Sequence, residues 1–218
     1  MTECPIVAMN SVRDPDEKLA ATEGRATRGV EIRVVRTRVK SFFASSSASR
    51  SELDGALAAP GEEGELRVRG PQLFRGYLDA SLDPGAFDAE GFFRSGDLGF
   101  VDVDGYVVIT GRLKDVIIRK GENISAKEVE DLLYTQPKVA DVAVIGLPDP
   151  EVGERCCAVV ACRDLADPLR FEEMIDHLTR QGLLRQKLPE RLELVDAVPR
   201  NPTGKILKHE LRRRFSTR

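Results

Sequence analysis

A chain of 218 residues has room for one medium domain or two small ones. Hydrophobic residues make up 41% and charged residues 32%, ordinary for a soluble globular protein and enough for a core. The formal net charge of -3 gives no footprint for nucleic acid or an anionic membrane surface, and no stretch approaches about 20 apolar residues, so no transmembrane segment is expected. The amino terminus has no basic region followed by an apolar core, which makes the cytoplasm the default location.

Little amphipathic signal precedes the stretch from Gly29 to Val35, whose alternation predicts a strand. From Arg36 to Pro60 the chain is polar and rich in Ser and Ala, and reads as an exposed loop or an insertion. The run from Glu65 to Arg69 alternates as a short strand. Residues 99–110 give the clearest hairpin, two apolar runs separated by Asp104-Gly105. The polar run Gly111-Arg112-Leu113-Lys114-Asp115 marks a domain boundary, giving regions 1–112 and 113–218.

The second region reads as a compact α+β unit. Val116 to Ile118 is a strand and Lys120-Gly121-Glu122-Asn123 a turn. Ser125 and Glu128 form a capping box that opens a helix through Leu133. Val139 to Leu147 and Glu154 to Cys162 are further strands. Asp167 as cap and Pro168 as first residue open a helix running to about Gly182. Leu192 to Val195 is a short strand, and the loop from Asn201 to Lys205 feeds a basic final helix. Its Arg212, Arg213 and Arg214 suit the carboxyl end of a helix dipole.

Four cysteines (Cys4, Cys156, Cys157 and Cys162) are too few and too poorly spaced for a disulfide scaffold. Three lie in one apolar run and read as buried strand thiols in a reducing compartment. With only His177 and His209, the sequence offers no metal cluster.

Three segments combine polar groups with glycine beside strands. In Arg94-Ser95-Gly96-Asp97-Leu98 the Asp97 carboxylate can accept two hydrogen bonds from a vicinal diol such as a ribose; an Asx-type turn residue before a strand fits the same spacing. In Gly111 to Asp115, Arg112 can bind ribose or phosphate and the run can hinge, while a solvated linker is the more ordinary reading of the run taken alone. In Asn201-Pro-Thr-Gly-Lys205, Lys205 is a mobile point charge suited to a phosphate or carboxylate oxygen, or else an ordinary surface lysine. The flanking spacing of a Walker loop is absent.

The order of these segments carries more than any one of them. Gly64-Glu-Leu-Arg-Val-Arg-Gly70, Gly76-Tyr-Leu78, Phe93-Arg-Ser-Gly-Asp-Leu98, Asp104-Gly-Tyr106 and Gly111-Arg-Leu-Lys-Asp115 resemble the adenylate-forming (AMP-binding) superfamily of acyl-CoA synthetases, luciferases and peptide-synthetase adenylation domains. The resemblance continues through Ile118-Arg-Lys-Gly-Glu-Asn-Ile124, Val139 to Gly146, Gly153-Glu154 and Pro202-Thr-Gly-Lys205, nearly the whole chain. Met1-Thr2-Glu3 looks like the tail of the family's aromatic-Gly-x-Thr-Glu segment, so a truncated start is expected.

This resemblance implies an α+β fold. Residues 1–112 would be the β-rich carboxyl-terminal part of the large adenylation domain, and 113–218 a small lid domain with a three-stranded sheet and helices. It implies ATP or AMP, Mg²⁺ and coenzyme A as ligands of the complete enzyme. Asp97 would hold the ribose hydroxyls, Arg112 would bind near ribose and phosphate, and Thr2 would contact the AMP phosphate. Glu3 would help hold Mg²⁺, and Lys205 would bridge carboxylate and α-phosphate oxygens. Lys114 would be the hinge, and Gly121 would approach the pantetheine arm, lacking a Cβ. Ser95 stands where the family more often has Thr.

Lys114 departs from the Asp usual at the hinge of peptide-synthetase domains. The run from Ile118 to Ser125 is similar to fatty-acyl-CoA and alicyclic-acid CoA ligases, so a fatty or alicyclic acid is the expected substrate. No Ser/Thr/Gly-rich loop ending in Pro-Lys-Gly occurs in the sequence. The expectation is therefore a carboxyl-terminal part of an acyl-CoA ligase that does not activate an acid alone. Two alternatives stand beside it: the lid subunit of a split ligase with a separately encoded amino-terminal part, and a non-enzymatic interaction module.

Overall fold

The computed structural model describes residues 1–37 and 55–216, which divide into two compact units between Lys114 and Asp115. Both mix strands with few helices, the α+β class implied by the family resemblance. Most of the Ser- and Ala-rich stretch expected as a loop, residues 38–54, lies outside the described residues.

Among the described residues, six strands build the first unit: β1 (Ala8–Met9), β2 (Gly24–Ala26), β3 (Glu31–Val35), β4 (Gly64–Arg69), β5 (Phe93–Val101) and β6 (Tyr106–Arg112). They form one antiparallel sheet in the order β1-β2-β6-β5-β4-β3. Alternation sets the β3–β4 register. Ile32 faces Val68 and Val34 faces Leu66, while Glu31 sits opposite Arg69 and pairs with it at 2.8 Å. Residues just past 55 do not loop away: Arg36 N–H donates to Ala56 O and Ala58 N–H to Val34 O, adding backbone to the outer edge of β3. Two short helices, α1 (Asp16–Ala21) and α2 (Asp83–Ala86), flank the sheet.

The β5–β6 hairpin is longer than the apolar runs indicate. Its loop holds the four residues 102–105, because the Asp102 carboxylate accepts the amides of Asp104 (2.9 Å) and Tyr106 (2.8 Å). Both strands also extend into the segments read as polar loops, back to Phe93 and on to Arg112. Gly99 permits this close pairing, since a Cβ there would lie 2.2 Å from the Val108 carbonyl oxygen.

The second unit contains β7 (Val116–Arg119), β8 (Glu122–Ser125), β9 (Val139–Asp149), β10 (Gly153–Cys162) and β11 (Arg191–Leu194), with helices α3 (Ala126–Tyr134), α4 (Phe171–Arg180) and α5 (Lys208–Phe215). Among the described residues its sheet therefore has five strands, not the three implied by the family resemblance. The added pair comes from the turn at Lys120 and Gly121, whose φ values of 49° and 85° are those of a two-residue primed turn. That turn returns Glu122 and Asn123 into register with Arg119 and Ile118, so both are strand residues.

The near-continuous apolar runs of β9 and β10 reflect burial on both faces. Val142, Val144, Cys156, Ala158 and Val160 pack under α3 and α4 through Val129, Leu133, Met174 and Leu178. Ala143, Ile145, Cys157 and Val159 pack on the other side against Val195, Val198, Leu211 and Phe215. Consecutive cysteines thus face opposite layers. Burial pushes both thiols up, that of Cys157 to about 12, as for packing residues rather than nucleophiles.

Ser125 caps α3 as expected, accepting the Glu128 N–H at 3.3 Å, and the Glu128 carboxylate pairs with Lys187. α4 begins at Phe171, later than the Asp167–Pro168 signal implies. Leu169 is buried and donates its N–H to Cys162 Sγ, which holds that residue in the core before the helix can open. The Glu173 carboxylate then takes the Arg170 N–H at 2.9 Å. Among the described residues no helix is long and apolar enough to cross a membrane.

Candidate functional site

The most constrained polar group of the first unit lies in β5. Against β4, Arg94 pairs with Arg67 and Leu98 with Glu65, so Ser95, Gly96 and Asp97 together oppose Leu66. This is a bulge, the device by which a strand re-aims a side chain. Gly96 takes the left-handed conformation it needs, with φ 69°. Ser95 pins it: the hydroxyl donates to Leu66 O at 2.6 Å and accepts the Asp97 N–H at 3.0 Å.

On its other side β5 sets Asp97 opposite Arg112 at the end of β6, with Arg112 Nε 2.8 Å from Asp97 Oδ1. The Asp97 side chain is 12% exposed and that of Arg112 39% exposed. The linker reading of Arg112 is therefore corrected: it is a strand residue, held by a ladder partner. Asp97 likewise sits inside a strand rather than in a turn before one. The fixed carboxylate can accept hydroxyl donors, and the half-exposed guanidinium fork offers further donors to an anion.

Glu3 is held from two directions. Phe74 N–H donates to its backbone carbonyl at 2.8 Å, and Tyr77 Oη–H to its carboxylate at 3.3 Å. Tyr77 is fixed in turn by Asp83, which accepts its N–H at 2.9 Å, and by an edge contact with Phe74. Burial first, then the Glu3 charge, raises the Tyr77 hydroxyl above its usual range, keeping it a donor. Thr2 is exposed.

Lys114 is exposed in a single 3-10 turn, Leu113–Asp115, and Gly121 forms the tip of the β7–β8 hairpin. In the second unit Lys205 is also exposed, on a loop that is far from slack. Asn201 Oδ1 accepts the N–H groups of Thr203 (3.1 Å) and Lys205 (2.8 Å) and the Thr203 hydroxyl (2.8 Å). Asn201 N–H closes onto Lys205 O at 2.9 Å, and Gly204 turns the chain at φ 83°. Arg200, at the base, was not singled out by the sequence. It grips Asp141 through two nitrogens (2.9 and 3.1 Å) and reaches Gly204 O at 2.6 Å.

The structure thus brings Asp97 and Arg112 together. It gives Glu3 a support of its own and presents Lys114, Gly121 and Lys205 on turns. The residues missed, Ser95's partner Leu66, Tyr77 and Arg200, act through contacts with distant segments: Tyr77 reaches Glu3 across 74 positions and Arg200 reaches Asp141 across 59. Leu66 and Tyr77 lie within segments that carry the family resemblance and Arg200 beside the Asn-Pro-Thr-Gly-Lys loop, but nothing local named their partners.

Residues 128–205 match the family model of the AMP-binding enzyme C-terminal domain. The medium-chain fatty-acid–CoA ligase of Escherichia coli is 39% identical over 213 residues, 97% of this chain and 35% of that protein. The salicyl-AMP ligase/salicyl-S-ArCP synthetase of Mycobacterium tuberculosis is 38% identical over 206 residues, 94% of this chain and 33% of that protein. The chain therefore spans about a third of the length of the curated relatives it matches. The crystal structure of ATP-bound MatB from Rhodopseudomonas palustris superposes with a TM-score of 0.82 at 33% identity, covering 99% of this chain and 39% of that one. The chain belongs to the adenylate-forming, AMP-binding enzyme family and matches that family's carboxyl-terminal portion.

Proposed function

We propose that this chain carries the ribose contacts and the adenylation lysine of an ATP-dependent acyl-CoA ligase acting on a fatty or alicyclic acid. The observation that carries the reading is the bulge-fixed Asp97 beside Arg112. A largely buried carboxylate at 2.8 Å from a half-exposed guanidinium suits a vicinal diol next to a phosphate. In the first half-reaction a carboxylate oxygen of the acid attacks the α-phosphorus of ATP and pyrophosphate leaves. In the second, the CoA thiolate attacks the acyl carbon and AMP departs with the bonding pair.

Within this scheme Asp97 accepts from the ribose hydroxyls and Arg112 donates to the ribose and phosphate. Lys205 offsets the negative charge gathering on the carboxylate and α-phosphate oxygens. Thr2 donates to the AMP phosphate, Gly121 lies along the pantetheine arm and Lys114 is the hinge. Glu3, a hard oxygen donor braced by Tyr77, fits Mg²⁺, which when bound shields the phosphates. The buried free thiols suit a reducing compartment such as the cytoplasm.

The 218 residues include no phosphate loop, so the acid-activating step needs a segment beyond them. A second reading, a lid supplied to a separately encoded partner, is favoured by the second unit's own two-faced core. The test joins this chain to the rest of the Escherichia coli medium-chain ligase and measures acid-dependent ATP–pyrophosphate exchange, then thioester formation with CoA or with an aryl carrier protein. Exchange with medium-chain acids, a CoA product and sharp losses on Asp97→Ala and Lys205→Ala are expected. Exchange indifferent to both substitutions sinks the reading, and a carrier-protein product moves it to the aryl-acid ligases.

A further inference from the structure

Asn201 fixes the turn of the loop that bears Lys205, and neighbours outside the loop tie that turn to the rest of the unit. Arg200 binds Asp141, at the start of β9, through both oxygens, with Nη2 2.9 Å from Oδ1 and Nε 3.1 Å from Oδ2. The remaining Nη1 donates to the Gly204 carbonyl at 2.6 Å, one residue before Lys205. Asp141 is braced from behind, its Oδ1 accepting the Tyr134 hydroxyl (2.7 Å) at the end of α3 and the Val142 N–H (3.0 Å). Burial opposes the Asp141 charge, but Arg200 and Tyr134 hold its carboxyl below the usual carboxylate range. Exposed ion pairs contribute little as a rule; a two-point fork with a third bond to backbone is the exception.

We propose that Arg200 is a positioning residue for Lys205, locking the 201–205 loop to the α3–β9 corner through Asp141 and Tyr134. This rests on the reading of Lys205 as the adenylation lysine. Lysine at 200 keeps a charge but loses the planar fork that spans Asp141 and Gly204 together. A loop loosened by about an ångström is enough to weaken catalysis by roughly a hundredfold.

Two measurements separate the geometry from the chemistry. On the 218-residue chain, amide hydrogen exchange of Thr203, Gly204 and Lys205 is expected to accelerate in Arg200→Ala and Asp141→Asn, with β9 and β10 amides still protected and Arg200→Lys only partly restoring the loop. In the joined ligase, Arg200→Ala is expected to lower kcat for acid-dependent pyrophosphate exchange roughly 10- to 100-fold with little change in the KM for ATP. The loss in thioester formation from preformed acyl-adenylate is expected to be at least tenfold smaller, by order of magnitude, and Arg200→Ala should add little to Lys205→Ala. Unchanged loop exchange overturns the proposal whatever Lys205 does. Faster loop exchange with unimpaired pyrophosphate exchange overturns it too. If Lys205→Ala itself leaves pyrophosphate exchange intact, the adenylation reading fails and takes the proposal with it, while the amide data still report whether Arg200 orders the loop.

Discussion

In the second unit β9 and β10 are sandwiched, with Val129, Leu133 and Met174 covering one face and Leu211 and Phe215 the other. The first unit has no comparable layer pair among its described residues. Its buried hydrophobic residues fall in small groups, among them Cys4–Val30–Val68, Val34–Leu66–Val107 and Phe92 beneath the Arg33 and Arg69 guanidinium groups, with a partly buried aromatic set around Phe74 and Phe93. The candidate chemistry follows the same division. Asp97 and Arg112 are fixed by the sheet itself, through a bulge and a ladder pair, whereas Lys205 stands on a loop held by side chains. A sheet with modest cores can still fix a polar pair, and a well-filled core can carry an exposed lysine on its rim.

The strongest way to break that comparison is to separate the units. Residues 115–218 expressed alone are expected to melt in one sharp cooperative transition, and 1–114 alone in a broader one at lower temperature; the reverse order would refute it. Next, Leu133→Ala opens a cavity in the filled layer and should destabilise the second unit by about 2–5 kcal/mol in urea unfolding. Ser95→Ala removes the two bonds that pin the bulge and should cost the first unit about 1–2 kcal/mol, while Ser95→Thr keeps the hydroxyl and should be close to neutral.

The smallest expected effect is electrostatic. The bidentate Arg36 partner, then the Ala59 amide, hold the Glu62 carboxyl down at about 2 against 4.5 for a free one. A carboxyl lowered in the folded state stabilises fully above 4.5, and that stabilisation fades as pH falls towards 2. Glu62→Gln should therefore lower the neutral plateau of a melting-temperature profile for the first unit slightly and flatten its acid limb, the two profiles converging as pH falls towards 2. Glu130, raised by burial against the pull of Lys208, has the opposite sign: its contribution weakens as pH rises through its folded pKa.

Much of the fold was legible because it is local. Period-two alternation marked β3 and β4, an apolar run marked β10, Asp104-Gly105 marked the hairpin, and Ser125 with Glu128 marked the start of α3. The rest depended on distant partners. The β5 bulge exists only against Leu66, and a lysine in the left-handed position of the β7–β8 turn offers no Asn-Gly signature. The displaced start of α4 follows from a bond to Cys162, and the Arg200 clamp from a carboxylate 59 positions away. In the site, Asp97, Arg112 and Lys205 stood out as polar groups beside glycines, but nothing local showed that the first two pair across strands.

Adjacent cysteines pointing into opposite layers have a practical consequence. A thiol reagent can reach Cys156 only when the α3–α4 side opens, and Cys157 only when the α5 side does. The order in which the two sulfurs are labelled would therefore read out which blanket of the sheet lifts first, with no probe added to the protein.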